Sequence, residues 1–325
     1  MIYDDSDCVE SCNLIKLVYD HNMKFADAFD HEVEHVSLFL FDADSRHLVA
    51  RTDVKATELT DNNELFLNIT PGSYDVIVWA GSPDRHFQIA DGKVSTSVTE
   101  DFHCRMNRLE AGHVKEDVGR LYHGQMHLEA RYASPSDPQR STLYLKKNTN
   151  TVRVVLQHIT GDRVNCDDFE FAITDNNGWL NHDNTLRDDE MLTYHPWHLV
   201  SGSVDINTNP TDAPGTKAED APFISTRAEL GAALAEFTVN RLIWQKNPHL
   251  KITDKAKNRT VMDINLNDYA MLVKGFYNQK MDEQEYLDRQ DEYNMTFFLD
   301  EGNRWINTVV IINDWRIVRI PTDLN

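Results

Sequence analysis

Apolar residues recur at every second position in short runs, and turn chemistry closes each run; this restricts the chain to β-sheets whose strands present alternate side chains to opposite faces. In "VEHVSLFLFD" (33–42), Val36, Leu38 and Leu40 fall on one face and Ser37, Phe39 and Phe41 on the other. The clearest hairpin pattern is "NELFLNITPGSYDVIVWAG" (63–81). Leu65, Leu67 and Ile69 face one way, Pro71-Gly72 suits the centre of a type II turn, and Tyr74, Val76 and Val78 run back. Strand structure is expected to continue to about residue 99.

A length of 325 residues suggests two domains with a core each. The segment "ASPSDPQR" (133–140) reads as an exposed loop, and "STLYLKK" beyond it as the closing strand of a first unit. A second β set opens with "NTVRVVLQHI" (150–159), continues through "FEFAIT" and a hairpin turn "DNNG" (175–178), and has "AALAEFTVNRLIW" (232–244) as a later strand. The boundary therefore falls near 147 and 148. Two stretches depart from the β pattern. "NPTDAPGTKAEDAP" (209–222) has the composition of a long mobile loop. "LNDYAMLVKGFYNQKMDEQEYLDRQ" (266–290) has helical spacing, with Leu272, Val273 and Phe276 as its apolar stripe and Asn267 or Asp268 as its cap.

Charge removes several function classes. With 32 Lys+Arg against 53 Asp+Glu, the formal charge is -21, which repels polyphosphates and anionic lipid. Nucleic acid is not an expected partner. No apolar run approaches the roughly 18 residues of a spanning helix, and "MIYDDSDCVE" has neither the basic nor the apolar region of a leader, so the chain is either cytoplasmic or has lost a leader. The four cysteines, Cys8, Cys12, Cys104 and Cys166, lack the CxxC…CxxC pairing of a structural zinc site, and spacing alone does not choose between free thiols and disulfides.

"HEVEH" (31–35) carries the two-histidine spacing of a zinc protease helix. A strand begins at or just after it, however, and in extended chain His31 and His35 stand about 13 Å apart. No third ligand follows in the required arrangement, so we read two exposed histidines before a strand. "TDNNGWLNHDN" lacks the acid spacing and distal glutamate of a calcium loop. His195 and His198 of "YHPWH" flank a proline that disfavours helix, and we read them as structural. Asp282, Glu283, Glu285 and Asp288 read as a solvated helix face. No GxSxG elbow, Walker loop or GxGxxG occurs. No catalytic residue, metal or cofactor is expected, and the chain is read as non-enzymatic.

Several stretches, in order along nearly the whole chain, resemble the FimB/Mfa2-type fimbrial anchor and assembly proteins of Bacteroidetes. They are "DCVESCNLIKLVYDHNMKFADAFDHEVEHVSLFLFD", with its opening cysteine and "YxxNM…ADAF" segment, then "ITPGSYDVIVWAG", "LYHG" (121–124), "KKNTNTVRVVLQHITG", "QEYLDRQDEYNMTFFL" (284–299) and "VVIINDWRIVR" (309–319).

The resemblance implies a mainly β fold: two tandem transthyretin-like β-sandwich domains, 1–147 and 148–325, the second with a helical insertion near 266–290 and a few short helices elsewhere. It implies a fimbrial shaft subunit as partner and an outer-membrane, lipid-anchored location at the cell surface. Neither Cys8 nor Cys12 follows an apolar leader, so the lipidated cysteine is expected upstream of Met1. An oxidising exterior favours a disulfide among Cys8, Cys12 and Cys104, with the pairing open.

The implied mechanism is β-strand addition, in which main-chain hydrogen bonds supply affinity and alternate side chains specificity. Two strands are candidates for it. In "NLIKLVYD" the residues are Leu14, Leu17 and Val18; in the C-terminal strand, expected to be covered on both faces, they are Val309 and Ile311. The role is either an anchor that holds the filament base and limits its length, or a tip or accessory adhesin for a host protein or glycan.

Overall fold

The computed structural model describes residues 11–82, 86–108, 112–205, 229–277 and 280–318. The first half supplies β1 (Ser11–Val18), β2 (His35–Asp42), β3 (Leu48–Lys55), β4 (Glu64–Ile69), β5 (Gly72–Gly81), β6 (Phe87–Ile89), β7 (His103–Met106), β8 (His113–Val114), β9 (Leu121–Ala130), β10 (Gln139–Tyr144) and β11 (Lys146–Lys147). The second supplies β12 (Thr149–His158), β13 (Phe169–Asp175), β14 (Trp179–Asn181), β15 (Leu192–Tyr194), β16 (His198–Asp205), β17 (Glu229–Asn240), β18 (His249–Asp254), β19 (Arg259–Asn265), β20 (Glu292–Leu299), β21 (Trp305–Ile312) and β22 (Trp315–Val318). The helices are short: α1 (Phe29–Glu32), α2 (Leu266–Ala270), α3 (Lys274–Tyr277) and α4 (Glu283–Arg289).

A three-stranded sheet, β10-β1-β4, packs on a five-stranded sheet, β11-β9-β5-β2-β3. Their shared core takes Ile15 and Leu17 from β1, Leu65 and Leu67 from β4, Leu38 and Leu40 from β2, and Val76 and Val78 from β5. The expected hairpin over 63–81 does not form. β4 pairs with β1, whereas β5 pairs with β2 and β9, so Pro71-Gly72 turns a corner between stacked sheets. The same alternation serves both arrangements, because strands that face each other across a core bury the same set of residues as strands that lie side by side. Tyr74 helps hold the corner by donating its hydroxyl to the Thr70 carbonyl at 2.9 Å.

The five-stranded sheet is apolar on both faces. Phe39, Phe41, Ile77 and Trp79 point away from the first core and join a larger cluster that includes Val152, Phe171 and Phe297 of the second half. Of the strand expected to residue 99, the described residues after β5 hold only the short β6, which pairs with β7; β7 pairs in turn with β14, and β8 pairs in parallel with β15. "DNNG" likewise joins no hairpin, since β13 pairs with β15 and β18 while β14 lies on β7. Among the described residues there are two apolar cores, and the larger one takes residues from both halves. The chain itself leaves the first five-stranded sheet with β11 and joins the six-stranded sheet β16-β17-β12-β20-β21-β22 with β12.

That six-stranded sheet faces the sheet β19-β18-β13-β15-β8 across the larger core. The expected strand at 232–244 ends at Asn240. The helical stretch 266–290 is broken into α2, a 3-10 turn at Met271–Val273, α3 and α4. Its first cap is Asn265, which accepts from the Asn267 N–H at 2.9 Å. Asn267 is instead buried, donating its amide to the Ile243 and Lys246 carbonyls. Of the expected stripe, Val273 is buried and Leu272 half-buried; the side chain of Phe276, Cys8 and the loop 209–222 lie outside what is described.

Candidate functional site

The first strand candidate, β1, is internal to its sheet. It runs parallel to β10 and antiparallel to β4, pairing Leu14 with Arg140 and Phe66, and Leu17 with Leu143. Leu17 is fully buried in the first core, a contact that stabilises by about 2 kcal/mol. Leu14 and Val18 lie on the other face, Leu14 half-buried and Val18 buried. The three are therefore one strand with two different faces, and β4 and β10 meet no other strand of that sheet than β1.

The second candidate is internal too. β21 lies between β20 and β22. Only one of its faces is covered, contrary to expectation: Val310 and Ile312 are buried in the large core, while Val309 and Ile311 are half-buried on the outer face. Among the described residues the edge belongs to β22, where Trp315 is 41% exposed. Sequence reasoning missed β22 because its four residues are too few to show a period.

Cys12 and Cys104 do not pair; both are free buried thiols, as is Cys166. Cys12 sits in β1 beside Asn68 of β4, and Cys104 in β7 inside the large core, so the pair belongs to separate sheets. Burial pushes the Cys104 thiol well above its ordinary range.

"HEVEH" straddles two elements. α1 ends at Glu32 and β2 begins at His35, so the two histidines share no helix face. Between them, Glu32 accepts from the Tyr122 hydroxyl at 2.7 Å and lies 3.4 Å from Lys147 and 3.2 Å from Arg120. Burial raises its carboxyl, but Lys147, the Tyr122 hydrogen bond and Arg120 outweigh that and hold it below the usual range. Lys147 reaches on to Asp291, which links the first half to the approach of β20.

The "YxxNM…ADAF" stretch is held by its own side chains. Asp27 accepts from the Tyr19 and Phe29 backbone N–H groups, and Asn22 donates to the Tyr19 and Ala26 carbonyls. From α4, Arg289 donates to the Asp20 and Asn22 carbonyls and lies 4.4 Å over the Phe25 ring. Asp288 beside it is 3% exposed and makes a two-pronged 2.7 Å pair with Arg241, which takes it out of the expected solvated face, while Asp282 stays exposed and Glu283 and Glu285 half-buried. Burial raises the Asp288 carboxyl, and the Arg241 pair more than reverses the effect. Nothing in the sequence marks Asp288 among its neighbouring acids; only the tertiary partner singles it out.

His195 bonds His113 across the β8–β15 crossing at 2.9 Å, and His198 bonds Glu236 at 2.8 Å. Among the described residues no group of three His, Cys, Asp or Glu side chains is arranged to hold a metal ion, and no helix is long and apolar enough to cross a membrane. Two clefts of about 410 and 340 Å³ open along the seam between β9 and the 181–185 turn, sharing Gln125 and Asp183.

A protein of Bacteroides thetaiotaomicron described as a candidate adhesin has a solved structure that superposes with a TM-score of 0.81 at 28% identity, covering 97% of this chain and 99% of that one. A candidate polysaccharide-binding protein of the same organism gives 0.79 at 26% identity, covering 97% and 100%. The fimbrial anchor protein Mfa2 of Porphyromonas gingivalis shares the fold at 0.68 and 16% identity, covering 96% and 100%. No curated protein matches the sequence. The family model described as fimbrillin-A associated anchor proteins Mfa1 and Mfa2 matches residues 5–320. With nearly its whole length matched, the chain belongs to the fimbrillin-A associated anchor protein family.

Proposed function

We propose that this protein is a fimbrial anchor or assembly subunit that tethers the filament base to the outer membrane, limits filament length and engages a shaft subunit by β-strand addition. Family membership supports a non-enzymatic, surface-associated protein that works with other fimbrial subunits. The observation that carries the mechanism is the position of β1. It is the first described strand, it is flanked on both sides, and its withdrawal leaves β4 and β10 as two open edges over an apolar floor. A lipid anchor would supply the membrane attachment. We also propose a division into units 1–147 and 148–325, where the chain changes sheets.

Deleting the gene in its host and imaging filaments by electron microscopy tests the role. Longer filaments, readily shed into the medium, are the expected result. Filaments unchanged in length and attachment would overturn the anchor reading. A second reading, a tip or accessory adhesin, draws on the two similar structures described as a candidate adhesin and a candidate polysaccharide-binding protein.

A further inference from the structure

We propose that the seam between β9 and the 181–185 turn is a binding cleft for a neutral saccharide, with Tyr144 as its stacking platform and Gln125 and Asp183 as its hydrogen-bonding wall. The proposal rests on the adhesin reading and names the site for it.

Size fits: clefts of about 410 and 340 Å³ that share Gln125 and Asp183 lie in the range of roughly 300–1,000 Å³ typical of ligand sites. The walls are held in place from behind. Asn148 and Asn184 exchange side-chain amide bonds at 2.7 and 3.1 Å, and His123 bonds the His182 carbonyl at 2.8 Å. A ligand entering here thus meets a surface that does not have to be ordered first.

The polar groups that face the cleft are only partly engaged. Asp183 commits one carboxylate oxygen to the backbone N–H and hydroxyl of Thr185. His182 lines the larger of the two clefts. Gln125 stands exposed on β9, and Tyr144 is 58% exposed at the end of β10. A pyranose offers such a set two complementary surfaces: a C–H face for the tyrosine ring, and a ring of hydroxyls, each both donor and acceptor, for amide and carboxylate. Lys146 and Arg241 line the smaller cleft but both pair with Asp288, and Arg46 of the larger pairs with Glu100, so these cations are already neutralised; with a formal charge of -21 around them, a neutral glycan is favoured over an acidic one.

The test is native electrophoresis of the full chain through gels containing laminarin, dextran or galactomannan, with hyaluronan as the acidic comparison. Retardation by at least one neutral polysaccharide and none by hyaluronan is expected. Tyr144→Ala and Gln125→Ala should each weaken it at least tenfold, while Tyr144→Phe, which keeps the ring, should retain most of it. Circular dichroism checks that the variants are folded. Retardation that survives both alanine substitutions would overturn this cleft while leaving the adhesin reading in place. No retardation in any neutral gel, or retardation by hyaluronan alone, would overturn the cleft, and adherence of cells lacking the gene then judges the adhesin reading separately.

Discussion

Asp175 shows how a residue drawn from turn chemistry ends up constrained by the interior. It reads as the first residue of an exposed turn, yet it is 4% exposed, and its Oδ2 has no hydrogen-bond partner. Burial pushes its carboxyl up to about 6, against the weaker opposing effects of the Asn176 N–H and Lys246. A carboxyl with a raised folded pKa favours folding fully below its unfolded value and loses that advantage as pH climbs through about 6. Above that point ionised Asp175 is a penalty approaching about 3 kcal/mol. Asp175→Asn should therefore raise the urea midpoint at pH 7.5 by about that much in free energy and have a smaller effect at pH 5. An equal gain at both pH values would show that titration is not the cause. The neighbouring Asn177 has the same history: it is 1% exposed, donates to the Asn240 and Arg241 carbonyls and accepts from the Tyr194 hydroxyl. Turn composition identifies where a chain reverses, but these side chains owe their burial to β15 and β17, which lie far along the sequence.

Among elements, alternation located most strands and left their neighbours undetermined. β2 and β5 follow the period-two reading residue by residue, because each side chain of a central strand must enter one core or the other. Both expected hairpins fail for one reason: a short turn between alternating runs suits a sheet corner as well as a ribbon, and only the long-range partners β1 and β7 decide. The stretch 266–290 is interrupted by the 3-10 turn at Met271–Val273 and restarts at Asp282, whose side chain caps α4 by accepting from the Glu285 N–H. The strand-addition candidates can be separated at this scale. Lys16 of β1 lies directly opposite Glu64 of β4, so the pair Lys16→Cys and Glu64→Cys places two cysteines across adjacent strands at disulfide range. Oxidised, this variant holds β1 in its sheet. Capture of a shaft subunit should then fall by tenfold or more and recover on reduction. Capture that is indifferent to oxidation would move the engaged strand to the β21–β22 end.

On the scale of the whole molecule, a boundary at 147 and 148 describes the path of the chain better than it describes the interior. β14 of the second half joins β7 and β6 of the first, and β8 of the first half completes a sheet built by the second, where Leu180, Leu192 and Tyr194 are at most 1% exposed. Cys104 and Met106 of β7 and Val114 of β8 join the same cluster. Each large apolar side chain uncovered loses about 1.5–3 kcal/mol, so losing several removes most of the roughly 5–15 kcal/mol by which a domain is stable. The Lys147–Asp291, Arg289–Asn22 and His123–His182 contacts would be lost as well. A fragment of residues 148–325 alone should therefore show no cooperative thermal unfolding by near-ultraviolet circular dichroism, and adding a fragment of residues 1–147 should restore it. If 148–325 unfolded cooperatively at the temperature of the intact chain, the crossing strands would be ornament to a self-sufficient unit. The expected result instead makes the two halves one mechanical body, in which a pull applied to a strand in the first half is passed to the second through β7–β14 and β8–β15 pairing, side by side with the Arg289 clamp.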